Sequence, residues 1–274
     1  MTGPQASRYL ALLGVNWLPP SLPALTELVT AHLARVPFEN VSKLIDHRRG
    51  EAARIPTLDH FLDRLEHLNL GGTCYTLATH FNGLLTHLGY QARLCGADMD
   101  RPNVHMVGVV TLDDHDWLVD VGYAAPFKEP LALDLPHPVV VGHGPERYVL
   151  HPRDRDGRWR MDQERDEKVI HGYTFDRVAR QPDEFQDVIA ESFDPGSHFL
   201  NCLRIVRHQG ERSIAVRDFA VQVTQGPVQR TRTLPDRDAL LDVVTILLGI
   251  SRAAVGEACD ALATRSWPGK TGGE

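Results

Sequence analysis

Three residues, in the chain order cysteine, histidine and aspartate, carry side chains that together could form a nucleophilic site. Cys74 supplies a thiol, His105 an imidazole that can take up the thiol proton, and Asp120 a carboxylate that can orient the imidazole. The attacking species would be the thiolate, of which an ordinary cysteine forms only a few per cent at neutral pH. A neighbouring imidazolium stabilises a thiolate, and a carboxylate beside the ring supports that imidazolium. These residue types therefore predict covalent acyl chemistry at Cys74.

The residues before Cys74 predict that its thiol lies at the start of a helix. Gly71 and Gly72 permit unusual backbone angles and a close approach of a substrate carbonyl, and Thr73 is a suitable N-cap. A helix start offers unpaired N–H groups and a partial positive charge, which favour a thiolate. The Cys74 amide could also donate to the oxyanion of an acyl intermediate. Taken alone, Cys74 is explained equally well as a buried core thiol.

The positions of His105 and Asp120 predict that both side chains lie on the same face of a hairpin. Two β-rich runs, Val104–Leu112 and Trp117–Val121, are separated by a short loop rich in aspartate. Because side chains alternate between the faces of a strand, a loop of even length places both residues on one face. Their distance stays open, since a two-residue turn at Asp114-His115 would offset them by four positions.

The composition argues against several classes of protein. The chain has 274 residues, of which 42% are apolar, and a formal net charge of −7 with both signs scattered along it. Nucleic-acid binding normally requires a basic face, and a membrane helix needs about 18 consecutive apolar residues. We therefore expect neither nucleic acid nor membrane as a partner, and no secretory signal is visible.

The cysteines and histidines predict a reduced, cytoplasmic protein without a metal. Four cysteines in a chain of this length do not form a disulfide framework. Cys95, Cys202 and Cys259 lie in apolar segments, where core packing is the expected role. The sequence contains neither a HExxH pattern nor paired CxxC motifs, so we expect no metal site.

The periodicity of apolar residues predicts an α+β fold in three parts. Helices are expected over Leu22–Ala34, over Leu58–Leu68 and from Thr73 to a stop at Gly89. Beyond the hairpin, strands are expected at Val139–Val141, Tyr148–His151 and Trp159–Met161, with a turn at Asp156-Gly157. The last third predicts a helix at Glu184–Glu191, strands at Cys202–Val206 and Ile214–Val223, a helix over Ala239–Leu248 capped by Asp236, and a helix from Ser251 to Ala263.

These elements predict a helical bundle in residues 1–90, a β-barrel in residues 91–182 and an α/β lid in residues 183–274. The bundle would carry Cys74, and the barrel would carry His105 and Asp120. The terminal segment Ser266–Glu274 is expected to fray.

The motifs around the three residues, in their order and spacing, resemble those of the arylamine N-acetyltransferases. The matching segments are Val36-Pro37-Phe38-Glu39-Asn40, Gly71-Gly72-x-Cys74, His105 and Val119-Asp120-Val121-Gly122-Tyr123, with a weaker match at Asp194–Phe199. The resemblance implies the three-part α+β fold with a core like that of cysteine proteases, and a catalytic triad of Cys74, His105 and Asp120. It implies ping-pong transfer of an acetyl group from acetyl-CoA, through a cysteine thioester, to an arylamine or arylhydrazine.

By the same resemblance, three aromatic residues match positions that line the family's acceptor pocket: Phe38, Tyr123 and Phe199. Core packing explains each of them equally well. The implied partners are a CoA thioester and a small-molecule amine, and the oligomeric state stays open.

Three positions depart from the usual family pattern Arg-Gly-Gly-x-Cys-x-Glu-x-Asn. They are Leu70 in place of the Arg, Thr76 in place of the Glu and Ala78 in place of the Asn. In the family that Arg lies near the glutamate of Pro-Phe-Glu-Asn, so Glu39 needs another partner, such as Arg35 or Lys43. An unpaired buried carboxylate is costly or becomes protonated.

Three other functions are compatible with the same residues. An amide synthase that releases a carrier-bound polyketide by forming a macrolactam would use the same triad with a larger acceptor cleft. A thiol hydrolase of papain or transglutaminase type has the same residue order and would admit water to the acyl-enzyme. A ligand-binding relative that has lost the chemistry would leave Cys74 unreactive.

Overall fold

The computed structural model describes residues 1–263, which form an α+β fold. Its α-helices are α1 Gly3–Leu13, α2 Leu22–Arg35, α3 Val41–Arg49, α4 Leu58–Leu68, α5 Cys74–His87, α6 Gln186–Glu191, α7 Arg237–Leu248 and α8 Arg252–Ala263. No helix within this range combines the length and the apolar character that crossing a bilayer requires.

The middle of the chain forms an eight-stranded antiparallel sheet that is nearly closed into a barrel. Strand β1, Phe38–Glu39, precedes these strands in the chain and belongs to a second sheet. The strands of the eight-stranded sheet are β2 Gln91–Asp98, β3 His105–Leu112, β4 His115–Val119, β5 Leu131–Ala132, β6 Val139–His143, β7 Glu146–His151, β8 Trp159–Arg165 and β9 Lys168–Phe175. They lie in the order β5-β4-β3-β2-β9-β8-β7-β6. Fully buried side chains such as Met161 and Phe175 fill a core shared by these strands, which fixes β3 and β4 in place.

A second, five-stranded antiparallel sheet joins distant parts of the chain. Its strands, in spatial order, are β1 Phe38–Glu39, β10 Arg204–Gln209, β11 Arg212–Arg217, β12 Ala220–Gln225 and β13 Val228–Thr233. Phe38 of β1 lies opposite Val206 of β10. Leu44 of α3 lies in one core cluster with residues of α7 and α8, including Leu248 and Val255. The N-terminal and C-terminal parts therefore share both a sheet and a core.

The α+β fold class is confirmed, as are several of the predicted elements. Helices α2, α4 and α5 match the three helices expected in the first third, and Thr73 is the N-cap of α5. The carboxylate of Asp236 caps α7 by accepting a hydrogen bond from Ala239 N at 2.9 Å. The division at residues 90 and 182 stays a prediction, and the predicted fraying of Ser266–Glu274 lies outside the described residues.

The prediction of a single strand over Ile214–Val223 is wrong. Strand β11 ends at Arg217 and β12 begins opposite it at Ala220. Asp218, in the turn between them, has a φ of 53°, and its carboxylate accepts a hydrogen bond from Leu203 N at 2.9 Å. The β-rich residues on both sides of Asp218 gave a continuous strand signal, whereas the turn depends on a tertiary contact.

Candidate active site

Cys74 is the first residue of α5 and is largely buried, with 7% of its surface exposed. Thr73 is extended, and its side chain makes no capping hydrogen bond to the first turn. The N–H groups at this helix start therefore receive no side-chain cap and can serve a ligand instead. Cys74 packs in a small apolar cluster with Ala78, Met106 and Phe185.

The two glycines before Cys74 are required by the main chain of residues 37–39. A Cβ on Gly71 would lie 2.1 Å from the carbonyl oxygen of Pro37, and Gly72 has a φ of 139°. Glu39 N donates a hydrogen bond to Gly72 O at 2.9 Å. The expected close approach to this backbone is thus made by the Pro-Phe-Glu segment, which holds the start of α5 against β1.

His105 and Asp120 meet as the parity of their positions predicts. Leu112 lies opposite His115, so the loop is the two-residue turn Asp113-Asp114, with φ angles of 50° and 61°. Continuing the register one residue beyond β4 places Asp120 two positions from His105 on the same face. The gap is bridged by side-chain length: His105 Nε2 lies 2.9 Å from Asp120 Oδ2, and both residues are buried.

The Asp120 carboxylate is held by two further hydrogen bonds. Oδ1 accepts from Gly122 N at 3.0 Å, and Oδ2 accepts from the hydroxyl of Tyr173 in β9 at 2.7 Å. Burial raises the pKa of Tyr173, and the Asp120 charge adds to the effect, so the phenol stays a proton donor. Sequence reasoning missed Tyr173, which lies 53 residues from Asp120 in a strand without a motif.

His105 is charged at neutral pH because of its two partners. Burial by itself lowers the pKa of His105, but the Asp120 carboxylate and a side-chain hydrogen bond with Cys74 outweigh it and raise this pKa to about 10. Since Nε2 is engaged by Asp120, Nδ1 is the ring nitrogen that remains for the thiol. The three residues thus form a continuous chain from thiol to imidazole to carboxylate.

Gly122 brings the end of the hairpin against the start of α5. A Cβ on Gly122 would lie 2.9 Å from Cys74 Cα and 3.1 Å from Cys74 Cβ. Any larger residue would therefore push β4 away from the helix. Gly122 belongs to the predicted Val-Asp-Val-Gly-Tyr motif, but its contact with α5 joins residues 48 positions apart and leaves no local pattern in the sequence.

The three predicted pocket aromatics fall into two groups. Tyr123 lies beside the triad, with its ring centroid 5.6 Å from that of His105, and its hydroxyl is 2.6 Å from His171 Nδ1. Phe38 and Phe199 form a separate pair with centroids 5.9 Å apart. Phe38 forms a β-bridge with Gly72, which connects that pair to the segment before Cys74.

Glu39 finds its partner within the next helix rather than in Arg35 or Lys43. Its carboxylate accepts from Ser42 N at 2.8 Å and from the Ser42 hydroxyl at 2.9 Å, so it caps α3. Burial raises the pKa of Glu39 to about 6, against the opposing effect of these bonds and of Arg64. The two hydrogen bonds from Ser42 therefore stabilise this carboxylate without an arginine at position 70.

The three departures from the family pattern lie in well-packed surroundings. Leu70 is fully buried in the same core cluster as Val41 and Leu44. Thr76 packs against Gly72 so closely that a Cβ added to this glycine would lie 2.9 Å from Thr76 Cβ. Ala78 packs in the cluster around Cys74. All three side chains are accommodated without disturbing His105 or Asp120.

The other candidate ligands and nucleophiles have structural surroundings. Burial raises the pKa of Cys95 to about 12 and of Cys259 to about 11, and also raises that of Cys202. These thiols are therefore protonated at neutral pH. Within residues 1–263, histidine, cysteine and carboxylate side chains form no group of three that could hold a metal ion.

Comparison with protein-family models gives a match over residues 21–254 to a family described as N-acetyltransferase. Among curated proteins, the proansamycin X synthase of Amycolatopsis mediterranei (strain S699) is 35% identical over 123 residues, which cover 41% of this chain and 45% of that protein. The match to this synthase thus spans less than half of its length. The arylamine N-acetyltransferase / N-hydroxyarylamine O-acetyltransferase of Salmonella typhimurium is 25% identical over 244 residues, covering 84% and 83% of the two chains.

Solved structures with the same fold include two bacterial arylamine N-acetyltransferases. The Nocardia farcinica structure superposes with a TM-score of 0.79 at 27% identity, over 96% of this chain and 94% of that one. The Mycobacterium marinum structure, solved in complex with CoA, gives a TM-score of 0.79 at 23% identity, over 94% and 97%.

Proposed function

This chain belongs to the arylamine N-acetyltransferase family, and from that membership we propose that it transfers an acetyl group from acetyl-CoA to an arylamine or arylhydrazine through a thioester at Cys74. The observation that carries the proposal is the buried chain of contacts from Cys74 through His105 to Asp120 at the start of α5. In this proposal Cys74 is the nucleophile, His105 moves the protons and Asp120 orients His105.

The first half-reaction forms the acyl-enzyme. The Cys74 thiolate, paired with the His105 imidazolium, attacks the thioester carbonyl of acetyl-CoA, and the uncapped N–H groups at the start of α5 stabilise the resulting oxyanion. The carbon–sulfur bond to CoA breaks, and CoA leaves as a thiolate that takes up the His105 proton. The second half-reaction begins with neutral His105 beside acetylated Cys74.

The second half-reaction passes the acetyl group to the amine. The amine nitrogen attacks the Cys74 thioester, and His105 accepts the proton that the nitrogen loses. Cys74 leaves as a thiolate beside the restored imidazolium, so the pair is ready for the next acetyl-CoA. The pKa of His105, raised to about 10, fits a resting state in which the ring is an imidazolium.

The donor is proposed from a relative's bound ligand, and the acceptor from the aromatic side chains around the site. The CoA bound in the Mycobacterium marinum relative supports a CoA thioester as donor, with no metal required for either step. Tyr123 beside His105, and the pair of Phe38 and Phe199 beside the Gly72 segment, are the proposed aromatic walls for the acceptor ring.

A second function is an amide synthase that closes a carrier-bound polyketide into a macrolactam. The observation that favours it is the 35% identity to a biosynthetic synthase over 123 residues. Both functions share the acyl-Cys74 intermediate and differ in donor and acceptor. Acylation of Cys74 by an acyl-carrier protein, but not by acetyl-CoA, would favour the synthase.

The decisive experiment is incubation with acetyl-CoA alone, followed by peptide mapping in a mass spectrometer. We expect one acetyl group on Cys74 in the wild type and in the control Cys202→Ala, and none in Cys74→Ala. A wild-type protein that stays unmodified would overturn acetyl transfer, and acetylated Cys74→Ala would overturn the assignment of the nucleophile.

A second measurement separates transfer from hydrolysis. The acetyl-enzyme is isolated and its decay is followed with and without an arylamine. A transferase loses the acetyl group much faster when the amine is present, whereas equal decay in water alone identifies a thiol hydrolase.

A further inference from the structure

A cationic crevice lies beside the start of α5 and is not used by the proposed mechanism. It lies between α3, the segment before α4, the start of α5 and α6, and its cavity volume is about 40 Å³, enough for a small polar group. Thr73, Tyr75 and Thr76, on either side of Cys74 in sequence, form one wall. Ser192 and Phe193, at the end of α6, form another.

Lys43 is the most deeply buried charged group on this crevice, with 7% of its surface exposed. Its Nζ donates to the hydroxyl of Ser192 at 2.5 Å and lies 4.3 Å from the ring centroid of Phe193. Within residues 1–263 it forms no salt bridge with any carboxylate. Buried ammonium groups are normally paired with an anion, because a hydroxyl and an aromatic ring recover only part of the lost hydration.

The other charges on the crevice wall leave Lys43 without a counter-ion. Asp46 is the carboxylate on this wall, and it is bound by both terminal nitrogens of Arg64, one of them at 2.9 Å. Arg54, at the exposed rim, has no salt-bridge partner in the described part of the chain. The wall therefore carries an excess of two positive charges, from Lys43 and Arg54.

Lys43 is also close enough to Cys74 for their charges to interact. Burial lowers the pKa of Lys43 to about 8, while the charge of the Cys74 thiolate raises it. Near neutral pH the Lys43 side chain is therefore mostly an ammonium. Thr73 and Tyr75, the sequence neighbours of Cys74, line the crevice, so an anion bound there would lie next to the first turn of α5.

We propose that this crevice binds a carboxylate of the substrate, with Lys43 as its ion-pair partner and Arg54 as a second contact at the rim. The proposal rests on the proposed function, because the carboxylate belongs to the acyl group or to the amine that reacts at Cys74. Lys43 is then a specificity-determining residue that selects carboxylate-bearing substrates over neutral ones of the same shape.

The test uses alkylating reagents, so that it does not depend on acetyl transfer. Cys74 is alkylated with two matched pairs, each consisting of a carboxylate and its neutral amide: iodoacetate with iodoacetamide, and 4-(iodoacetamido)benzoate with 4-(iodoacetamido)benzamide. The thiolate displaces iodide from all four reagents, so changes in its reactivity cancel in the carboxylate-to-amide rate ratio. Iodoacetate and iodoacetamide test for recognition of a carboxylate on the acyl group. The two benzene-containing reagents test for recognition of a carboxylate on the acceptor.

We expect Lys43→Met to lower this ratio about tenfold in at least one pair, the loss of one charge-assisted hydrogen bond. The control Lys168→Met, in β9, removes a charge from an exposed site and should leave both ratios at the wild-type value. Ratios that are unchanged by Lys43→Met in both pairs would overturn the proposal.

Two further outcomes are separable. If Lys43→Met does not fold, as judged by circular dichroism, Arg54→Gln decides: a ratio about threefold lower supports the crevice, and an unchanged ratio overturns it. If acetyl-CoA does not acetylate the protein but the ratio depends on Lys43, the proposed function is wrong and the carboxylate site is supported. If Cys74 is acetylated but the ratio does not depend on Lys43, the proposed function is supported and the carboxylate site is wrong.

Discussion

At the scale of single residues, the Asp120 carboxylate organises the candidate site. It accepts hydrogen bonds from His105 Nε2, from the Tyr173 hydroxyl and from Gly122 N, and these donors come from β3, β9 and the segment after β4. Burial alone would lower the pKa of His105, but its contacts with Asp120 and Cys74 raise it to about 10, so the ring is an imidazolium at neutral pH. The position of Asp120 beside His105 therefore depends on residues from three separate segments of the chain.

Tyr173→Phe should weaken the site without moving it. The change removes one hydrogen bond from Asp120 Oδ2, so we expect a loss of about 1–3 kcal/mol in unfolding free energy and slower alkylation of Cys74 by iodoacetamide. Urea unfolding and the alkylation rate at several pH values measure the two effects. Tyr148→Phe is the matched control, since its hydroxyl donates to Glu146 in the same barrel; equal alkylation rates in both variants would contradict the role of Tyr173.

Glu39 gives a prediction about pH. Its folded pKa of about 6 lies above the ordinary value of 4.5, so its protonated form contributes stability below about pH 4.5 that is lost as pH rises through 6. In Glu39→Gln this dependence disappears, while both contacts with Ser42 can be kept. Between pH about 4 and about 7, we expect the wild type to lose about 2 kcal/mol relative to the variant, measured by urea unfolding. A constant difference across this range would show that Glu39 titrates normally.

The identity of the three central residues could be predicted from the sequence, but their support could not. Chain order and parity make Cys74, His105 and Asp120 candidates, and the resemblance to the family singles them out, because all three signals are read from sequence positions. Tyr173 carries no local pattern, because its contact with Asp120 depends on the order of strands in the barrel. Lys43 bonds Ser192 rather than the expected Glu39, and this contact joins residues 149 positions apart, so no sequence pattern indicates it.

At the scale of elements, the site is the junction of a hairpin and a helix. The Asp113-Asp114 turn sets the register of β3 and β4, and that register brings Asp120 within reach of His105. The apolar spacing of α5 and the β-rich residues of β3 made these elements predictable. Strand β1 has only two residues and α3 is mostly polar, so neither gave a signal of its own; both form through contacts with β10 and the C-terminal core.

Gly122→Ala should separate the hairpin from the helix. The new methyl group would lie 2.9 Å from Cys74 Cα, and main-chain atoms at that distance cannot rotate away. We expect a loss of about 1–3 kcal/mol in stability and at least a tenfold slower acetylation of Cys74, measured by mass spectrometry over time. Gly142→Ala, in β6, meets no atom within 4 Å and serves as the control. Acetylation at the wild-type rate in Gly122→Ala would contradict this close contact.

At the scale of the whole molecule, the first and last parts of the chain stabilise each other. Strand β1, which holds the Gly72 segment, is an edge strand of the sheet formed by β10–β13. Helix α3 shares its core with α7 and α8. Leu70, four residues before Cys74 in sequence, lies in the same cluster. The start of α5 is therefore positioned partly by residues more than 150 positions away.

Loss of packing in α7 should consequently change the accessibility of Cys74 during unfolding. Leu248 is fully buried in the core shared by α3, α7 and α8, whereas Ile246, two residues earlier in the same helix, is 78% exposed. We expect Leu248→Ala to lower the unfolding free energy by about 2–5 kcal/mol, and Ile246→Ala to change it by less than about 0.5 kcal/mol. Because the core is shared, Cys74 of Leu248→Ala should become accessible to iodoacetamide in the same denaturant range in which the protein loses its circular dichroism signal. If the dichroism of Leu248→Ala changed well before its Cys74 became accessible, the C-terminal helices would be unfolding independently of the site.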